Sequence, residues 1–349
     1  MHTTAKIAFL LYDSRSGSTF LSSQLEKFPD IGITIESNFI STLLSAKSQI
    51  ANNRSIYNIF DIFLRNERFC NLDVSRDEIF FHLQKYTSYN IENITRSLLA
   101  AYFSKVKPDS RVWIVKDGSN GYLINQIAQE IPDAKFIHLI RDGRAVFNSR
   151  LQTIRPYVQK QRMARDPLTA ARVWTSLVNS VDAYMSTHPE RCLKIRYEDL
   201  INDVEEQMAL VRDFFEIGPG ERSDSCTNYY DRIPAKEKTI HTLVNHPAVL
   251  ERVDGWKKEL PFEDLILFQF FSGYCLKKHG YIVDNDTSIF VLFSNKNVLL
   301  KFLNSCLKRF YGWILLLVDP NRLKKLINIK MLRQRDRRIS GYYKGSYHK

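Results

Sequence analysis

Several short stretches of the chain carry side chains able to do chemistry on an anion. Residues 15–19 read Arg-Ser-Gly-Ser-Thr, one glycine among three hydroxyls with a guanidinium in front. A tight turn of this kind ahead of a helix aims free backbone N–H groups at an anion. Arg15 adds a planar fork of donors that matches phosphate. The pattern G-x-x-x-x-G-K-[ST] is absent, so Ser16, Gly17, Ser18 and Thr19 do not form a standard ATP or GTP loop. Arg141 and Ser149 supply a second guanidinium and hydroxyl, a pair that can clamp a second phosphate. Lys116 adds an ammonium and Glu36 a carboxylate. Tyr197 lies in Arg-Tyr-Glu-Asp-Leu at 196–200, and Lys257 and Lys258 in Gly-Trp-Lys-Lys-Glu-Leu at 255–260.

The elements around these groups must bring them together. Ile7 to Leu11 is an unbroken apolar run and reads as a buried strand. Phe20, Leu21, Leu25 and Phe28 fall on one face of a helix predicted over 19–28. Further strands are predicted over 31–35, 111–115, 135–140 and 192–196. Helices are predicted over 122–130, 145–151, 167–185 and 200–215. Residues 37–103 read as helices that cap one edge. This β-α-β-α rhythm predicts an α/β fold, a mostly parallel central sheet flanked by helices. Arg15, Glu36, Lys116 and Arg141 each follow a strand end, where such sheets bind ligands.

Charge divides the chain unevenly. The formal net charge is +12, yet residues 285–349 hold 14 Lys/Arg against 3 Asp/Glu. The body is therefore nearly neutral, and the basicity is C-terminal. We expect a catalytic domain over 1–284 and an amphipathic helical, basic extension over 285–349. In that extension Val298, Leu299, Phe302, Leu303, Cys306, Leu307 and Phe310 form an apolar stripe, with Lys301, Lys308 and Arg309 opposite. The apolar run Phe310 to Val318 is too short to cross a bilayer, which takes about 20 residues. The five cysteines are widely separated and odd in number, with no metal-site spacing, so reduced thiols are expected. The first apolar run is short and belongs to the opening strand, so a cytoplasmic location is expected.

With these motifs in order, residues 6–283 resemble the sulfotransferases that use 3′-phosphoadenosine 5′-phosphosulfate (PAPS). The resemblance implies a P-loop-like sulfotransferase fold. It implies that Arg15 to Thr19 hold the 5′-phosphosulfate, in the form with Arg where other members have Lys, and that Arg141 and Ser149 hold the 3′-phosphate. In protein-tyrosine and some bacterial glycan sulfotransferases a glutamate shortly after the loop is the catalytic base, and Glu36 stands at the matching place. The chemistry agrees, because the attacking hydroxyl must lose a proton that a positioned carboxylate can accept. Lys116 resembles the family lysine that neutralises charge on the sulfuryl group and the leaving phosphate. With Arg15 it would supply the positive charge, so no metal is required. Tyr197 resembles the tyrosine near the adenine, although a tyrosine just after a strand also packs as core. Lys257 or Lys258 would reach the 3′-phosphate; the local pattern departs from the R-K-G form and leaves both as candidates. Trp256 reads as the packing residue of that loop. His82, His138, His241 and His246 are the other conceivable bases. None directly follows the Lys116 strand, where Asp117 and Gly118 stand, which favours a carboxylate base.

The Arg-Ser-Gly-Ser-Thr form is common among carbohydrate-modifying members, so the resemblance implies a glycan or glycolipid hydroxyl as acceptor. A tyrosine or small-molecule hydroxyl comes second. Two other classes stay open: a phosphotransferase with an atypical loop, and a non-catalytic module that holds a nucleotide or acidic glycan. The basic extension fits peripheral attachment to an anionic membrane surface. It also fits an acidic polysaccharide, or a helical pair packed on the body, while a nucleic-acid partner is not expected.

Overall fold

The computed structural model describes residues 5–51, 60–61, 63–64, 66–154, 161–164, 166–223, 228–239, 251–283 and 289–318. Lys308 and Arg309 lie in a described helix without described side chains, and His241, His246 and residues 319–349 lie outside the described set. The chain divides into two compact units, one of residues 1–141 and 180–249, the other of 142–179 and 250–349.

The first unit holds a five-stranded sheet of β1 (Lys6–Tyr12), β2 (Ile31–Ile33), β3 (Val112–Lys116), β4 (Lys135–Ile140) and β5 (Cys192–Arg196). Every pairing is parallel and the order is β2-β3-β1-β4-β5. Ile7 through Tyr12 are buried, as expected for a central parallel strand with both faces covered. Because β1 lies between β3 and β4, the loop after Tyr12 is bracketed by Lys116, the last residue of β3, and Arg141, the first after β4.

Among the helices are α1 (Ser18–Glu26), α2 (Phe39–Ser45), α3 (Glu67–Cys70), α4 (Ile91–Val106), α5 (Ile124–Glu130), α6 (Gly143–Gln152), α7 (Pro167–Met185), α8 (Tyr197–Asn202), α9 (Val204–Phe215), α10 (Tyr229–Arg232), α11 (Trp256–Glu259), α12 (Phe262–Lys278), α13 (Ile289–Ser294) and α14 (Lys296–Val318). In α1, Leu21 and Leu25 enter the core, and the buried Ser22 hydroxyl donates to the Ser18 carbonyl one turn back. The helix expected over 200–215 is broken. Asp203 takes extended backbone at φ −143° and caps α9 by accepting the Glu206 N–H at 2.9 Å. The strand expected over 31–35 ends at Ile33. There the Thr34 hydroxyl, rather than a backbone carbonyl, accepts the Lys116 N–H at 3.0 Å and ends the ladder.

In the second unit, Phe147 of α6 stacks on Phe268 of α12, and Trp174 of α7 packs beside Phe268. Gly143 opens α6 with no room for a side chain: a Cβ would stand 2.7 Å from Trp174 and 2.8 Å from Phe268. Leu292 of α13 and Val298 of α14 join Leu168, Ile266 and Leu267 in one core cluster, with Phe302 and Cys306 against it. Lys301 bridges to Asp264 at 2.8 Å. The apolar stripe of α14 is thus split. Val298, Phe302 and Cys306, spaced by four, pack inward, while Leu303, Leu307 and Phe310 are exposed.

Candidate active site

The loop after β1 is built from two left-handed residues. Arg15 has φ 73° and Gly17 φ 94°, a region a side chain enters only at a cost. The Ser16 N–H closes the turn on the Asp13 carbonyl at 3.1 Å, and the Asp13 carboxylate accepts the Ser14 N–H at 3.0 Å. Gly17 presses on Tyr197: a Cβ there would stand 2.3 Å from the ring. The Arg141 guanidinium lies 4.2 Å over the same ring and donates to the Arg15 carbonyl at 3.0 Å. Tyr197 and Arg141 therefore hold the loop from beneath and from the side. Among the described residues, no side chain caps the first turn of α1 and the buried Ser16 hydroxyl has no hydrogen-bond partner. This cradle of backbone donors, a hydroxyl and a glycine fits the phosphosulfate end of PAPS.

Lys116 stands beside this cradle. The residue is 2% exposed, and its ammonium donates to Thr19 Oγ1 at 3.2 Å and Tyr229 Oη at 3.1 Å. The Tyr229 and Tyr12 ring centroids lie 5.0 and 6.0 Å away. No carboxylate among the described residues forms an ion pair with it. Burial pushes the Lys116 amine below the ordinary lysine value, while the Glu36 and Glu237 charges oppose that shift. Tyr12 also donates to Glu36 Oε1 at 2.5 Å, so one ring joins the lysine side to the carboxylate side. The second Glu36 oxygen takes Arg68 Nη1 of α3 at 2.8 Å, and Arg68 Nη2 reaches Glu237 at 3.1 Å. Glu36 keeps about a fifth of its side chain in solvent.

Asp117 fixes the backbone that carries Glu36. It is fully buried, and its carboxylate accepts the N–H groups of Ser37 and Asn38 at 2.9 and 2.8 Å. Burial pushes its pKa up to about 7 against those two donors. Among the described residues, no group of three or more His, Cys, Asp or Glu is placed to hold a metal ion.

The first unit thus brings together Arg15, Ser16, Gly17, Ser18, Thr19, Glu36, Lys116, Arg141 and Tyr197 at the carboxyl ends of one sheet. Ser149, Lys257 and Lys258 belong to the second unit. Ser149 is half-buried on α6. Lys257 and Lys258 are exposed on α11, with Lys257 paired to Asp254 at 2.9 Å. Glu259 ties α11 to α6 by accepting from Asn148 at 2.6 Å and Gln152 at 2.7 Å. The buried Trp256 packs as expected, 3.9 Å beneath the Arg144 guanidinium. Arg144 is consumed by Asp142 and by Gln269 Oε1 at 2.6 Å.

The model of the sulfotransferase family matches residues 13–218, from the loop through α9. The chain belongs to the sulfotransferase family. Like the solved members, this sulfotransferase has a P-loop-like fold with a parallel sheet. It is similar to the sulfotransferase domain of the Synechococcus PCC 7002 olefin synthase, at 19% identity and TM-score 0.53, over 81% of this chain and 98% of that one. It is also similar to the sulfotransferase domain of the curacin biosynthetic pathway, at 15% identity and TM-score 0.51, over 80% of this chain and 99% of that one. Likeness at this identity shows the fold alone. Among curated proteins none matches the chain.

Three further residues stand at this sulfotransferase's candidate site with no local signal in the sequence. Tyr12 ends β1 and looks like one more core residue of that strand. Arg68 and Tyr229 stand 32 and 113 residues from their partners Glu36 and Lys116, with no motif around them. Only a signal of spatial proximity would have found them.

Proposed function

We propose that this sulfotransferase moves the sulfuryl group of PAPS to a hydroxyl of a glycan or glycolipid, by in-line displacement with Glu36 as base. The observation that carries the reading is Lys116: an ammonium buried beside the loop, held by neutral hydroxyls and, among the described residues, paired with no carboxylate. A buried cation is expensive to keep unpaired, so the site is built for an anion brought by a ligand. Arg15, Ser16, Gly17, Ser18 and Thr19 would hold the phosphosulfate. Arg141 and Ser149 would hold the 3′-phosphate, with Lys257 or Lys258 as a further cation. Tyr197 would lie by the adenine end while bracing the loop.

In the reaction the acceptor oxygen forms a bond to sulfur as the bond from sulfur to the 5′-phosphate oxygen breaks. The electron pair of the broken bond stays on that phosphate, giving 3′-phosphoadenosine 5′-phosphate (PAP). The acceptor proton goes to Glu36. Lys116 and Arg15 neutralise charge as it shifts to the leaving phosphate. Tyr12 and Arg68 hold the two Glu36 oxygens, which fixes the carboxylate before the acceptor arrives.

The glycan class rests on the form of the loop. Two solved relatives come from an olefin synthase and the curacin pathway, so an acceptor panel should include alkyl hydroxyls beside sugars and glycolipids. The test is PAP release from PAPS, run in parallel with ADP release from ATP, across that panel. Acceptor-dependent PAP release with sulfated sugar product is expected. ATP turnover without PAPS turnover would overturn the reading, and sulfation of alkyl hydroxyls alone would overturn the glycan assignment. PAPS binding without transfer to any acceptor would assign the chain as a binding module.

A further inference from the structure

We propose that Tyr229 is the positioning residue for Lys116, holding its ammonium by a neutral oxygen so that the full positive charge is left for the donor. The proposal rests on the sulfuryl-transfer reading above. Residue 229 lies outside the 13–218 match to the family.

An ammonium has three protons to donate. Thr19 Oγ1 and Tyr229 Oη take two, and no described group takes the third. Tyr229 Oη points its own proton to the Thr34 carbonyl at 3.3 Å, so its lone pairs are what Lys116 meets. Both holding groups are uncharged. A carboxylate in either place would cancel the charge and compete with the incoming anion. A hydroxyl fixes direction and leaves the charge intact, which is what stabilising a leaving phosphate requires.

Tyr229 is itself tightly placed. Its side chain is 1% exposed, and the Arg232 guanidinium, from the same turn of α10, lies 5.2 Å over its ring. Arg232 donates hydrogen bonds to the Ile33 carbonyl at 3.0 Å and Tyr102 Oη at 2.6 Å, and forms an ion pair with the buried Glu26 carboxylate at 2.6 Å. Asn228 caps the turn by accepting the Tyr230 N–H at 3.0 Å. A buried ion pair in this place is a costly way to anchor a short helix unless the residue it carries must not move. Burial also pushes the Tyr229 phenol well above the ordinary tyrosine range, which keeps the hydroxyl neutral.

The test is Tyr229→Phe in the full chain, which keeps the ring and removes one oxygen. PAP release from PAPS is followed against pH with the best acceptor of the panel, or with water where none is used. We expect kcat to fall about tenfold, the effect of losing one hydrogen bond to a charged group. The acceptor KM stays unchanged. The alkaline limb of the profile moves to lower pH, because loss of the acceptor favours the neutral amine. Lys116→Met should lose more, and Tyr229→Phe in that background should add nothing. A purely structural Tyr229 predicts an unshifted profile, or the same loss with and without Lys116; either result overturns the proposal. If the wild-type chain releases no PAP from PAPS, the donor assignment fails and the proposal with it. Wild-type turnover with an unaltered Tyr229→Phe profile overturns the role of Tyr229 alone.

Discussion

Glu36 and Asp117 are both carboxylates near the end of β3, and their surroundings give them different tasks. Glu36 is partly open to solvent and held by Tyr12 and Arg68, an arrangement suited to receiving a proton from a bound hydroxyl. Glu36→Gln keeps the size and the hydrogen-bonding oxygen but cannot take the proton. Transfer should fall at least about 100-fold, while PAP binding measured by calorimetry is retained. Unchanged transfer would remove Glu36 from the base role. Asp117 is sealed in and, among the described residues, bonded only to backbone, so its contribution is to stability. Its folded pKa of about 7 lies above the ordinary 3.8, so between these values the folded chain keeps a proton that the unfolded chain has lost. Stability from this group is therefore present at low pH and drains as pH rises toward 7. Asp117→Asn should remove that slope: its melting temperature relative to wild type should improve between pH 5 and pH 8. A constant difference across that range would contradict the raised pKa.

At the scale of elements, the loop depends on a glycine being able to lie against a tyrosine. Gly17→Ala puts a methyl 2.3 Å from the Tyr197 ring in left-handed backbone. Strain and overlap together should cost about 1–3 kcal/mol, seen in thermal unfolding. Because Tyr197 also underlies Arg141, the displaced ring should carry Arg141 away from the Arg15 carbonyl and weaken PAP binding. Lowered stability with donor affinity intact would show that the loop and Arg141 are not coupled through Tyr197.

At the scale of the whole molecule, the C-terminal helices leave apolar surface uncovered. Phe290 and Phe293 of α13 and Leu303, Leu307 and Phe310 of α14 are each at least 46% exposed. The sequence directly after α14 is strongly basic, with 10 Lys/Arg against Asp336 over 321–349. Among the described residues no helix is long and apolar enough to cross a membrane. Apolar side chains next to concentrated positive charge match the surface of an anionic bilayer, and like-charged tails disfavour self-association through the same face. The full chain should co-sediment with phosphatidylcholine vesicles containing phosphatidylserine at low salt, and less at high salt. Equal behaviour with and without phosphatidylserine, or a salt-independent dimer and no vesicle binding, would discard the attachment.

The parallel α/β fold, and the sheet end where the candidate site residues gather, can be read from the chain alone. Strand runs of apolar residues announce burial on both faces; Lys116 and Arg141 each follow such a run directly, and Arg15 comes three residues after the end of β1. These are local signals, read from neighbours along the chain. The break at Asp203 is hidden in the sequence, because the apolar periodicity of residues 200–215 runs through it. The split of the α14 stripe was not legible, because a wide apolar face does not say how much of it finds a partner. That Tyr12, Arg68 and Tyr229 stand against Glu36 and Lys116 emerges only from the folded chain. Their partners lie tens of residues away, and nothing in local spacing distinguishes a tyrosine filling the core from one holding a buried ammonium. The difference lies in where a single oxygen points, and that is set by packing across the sheet.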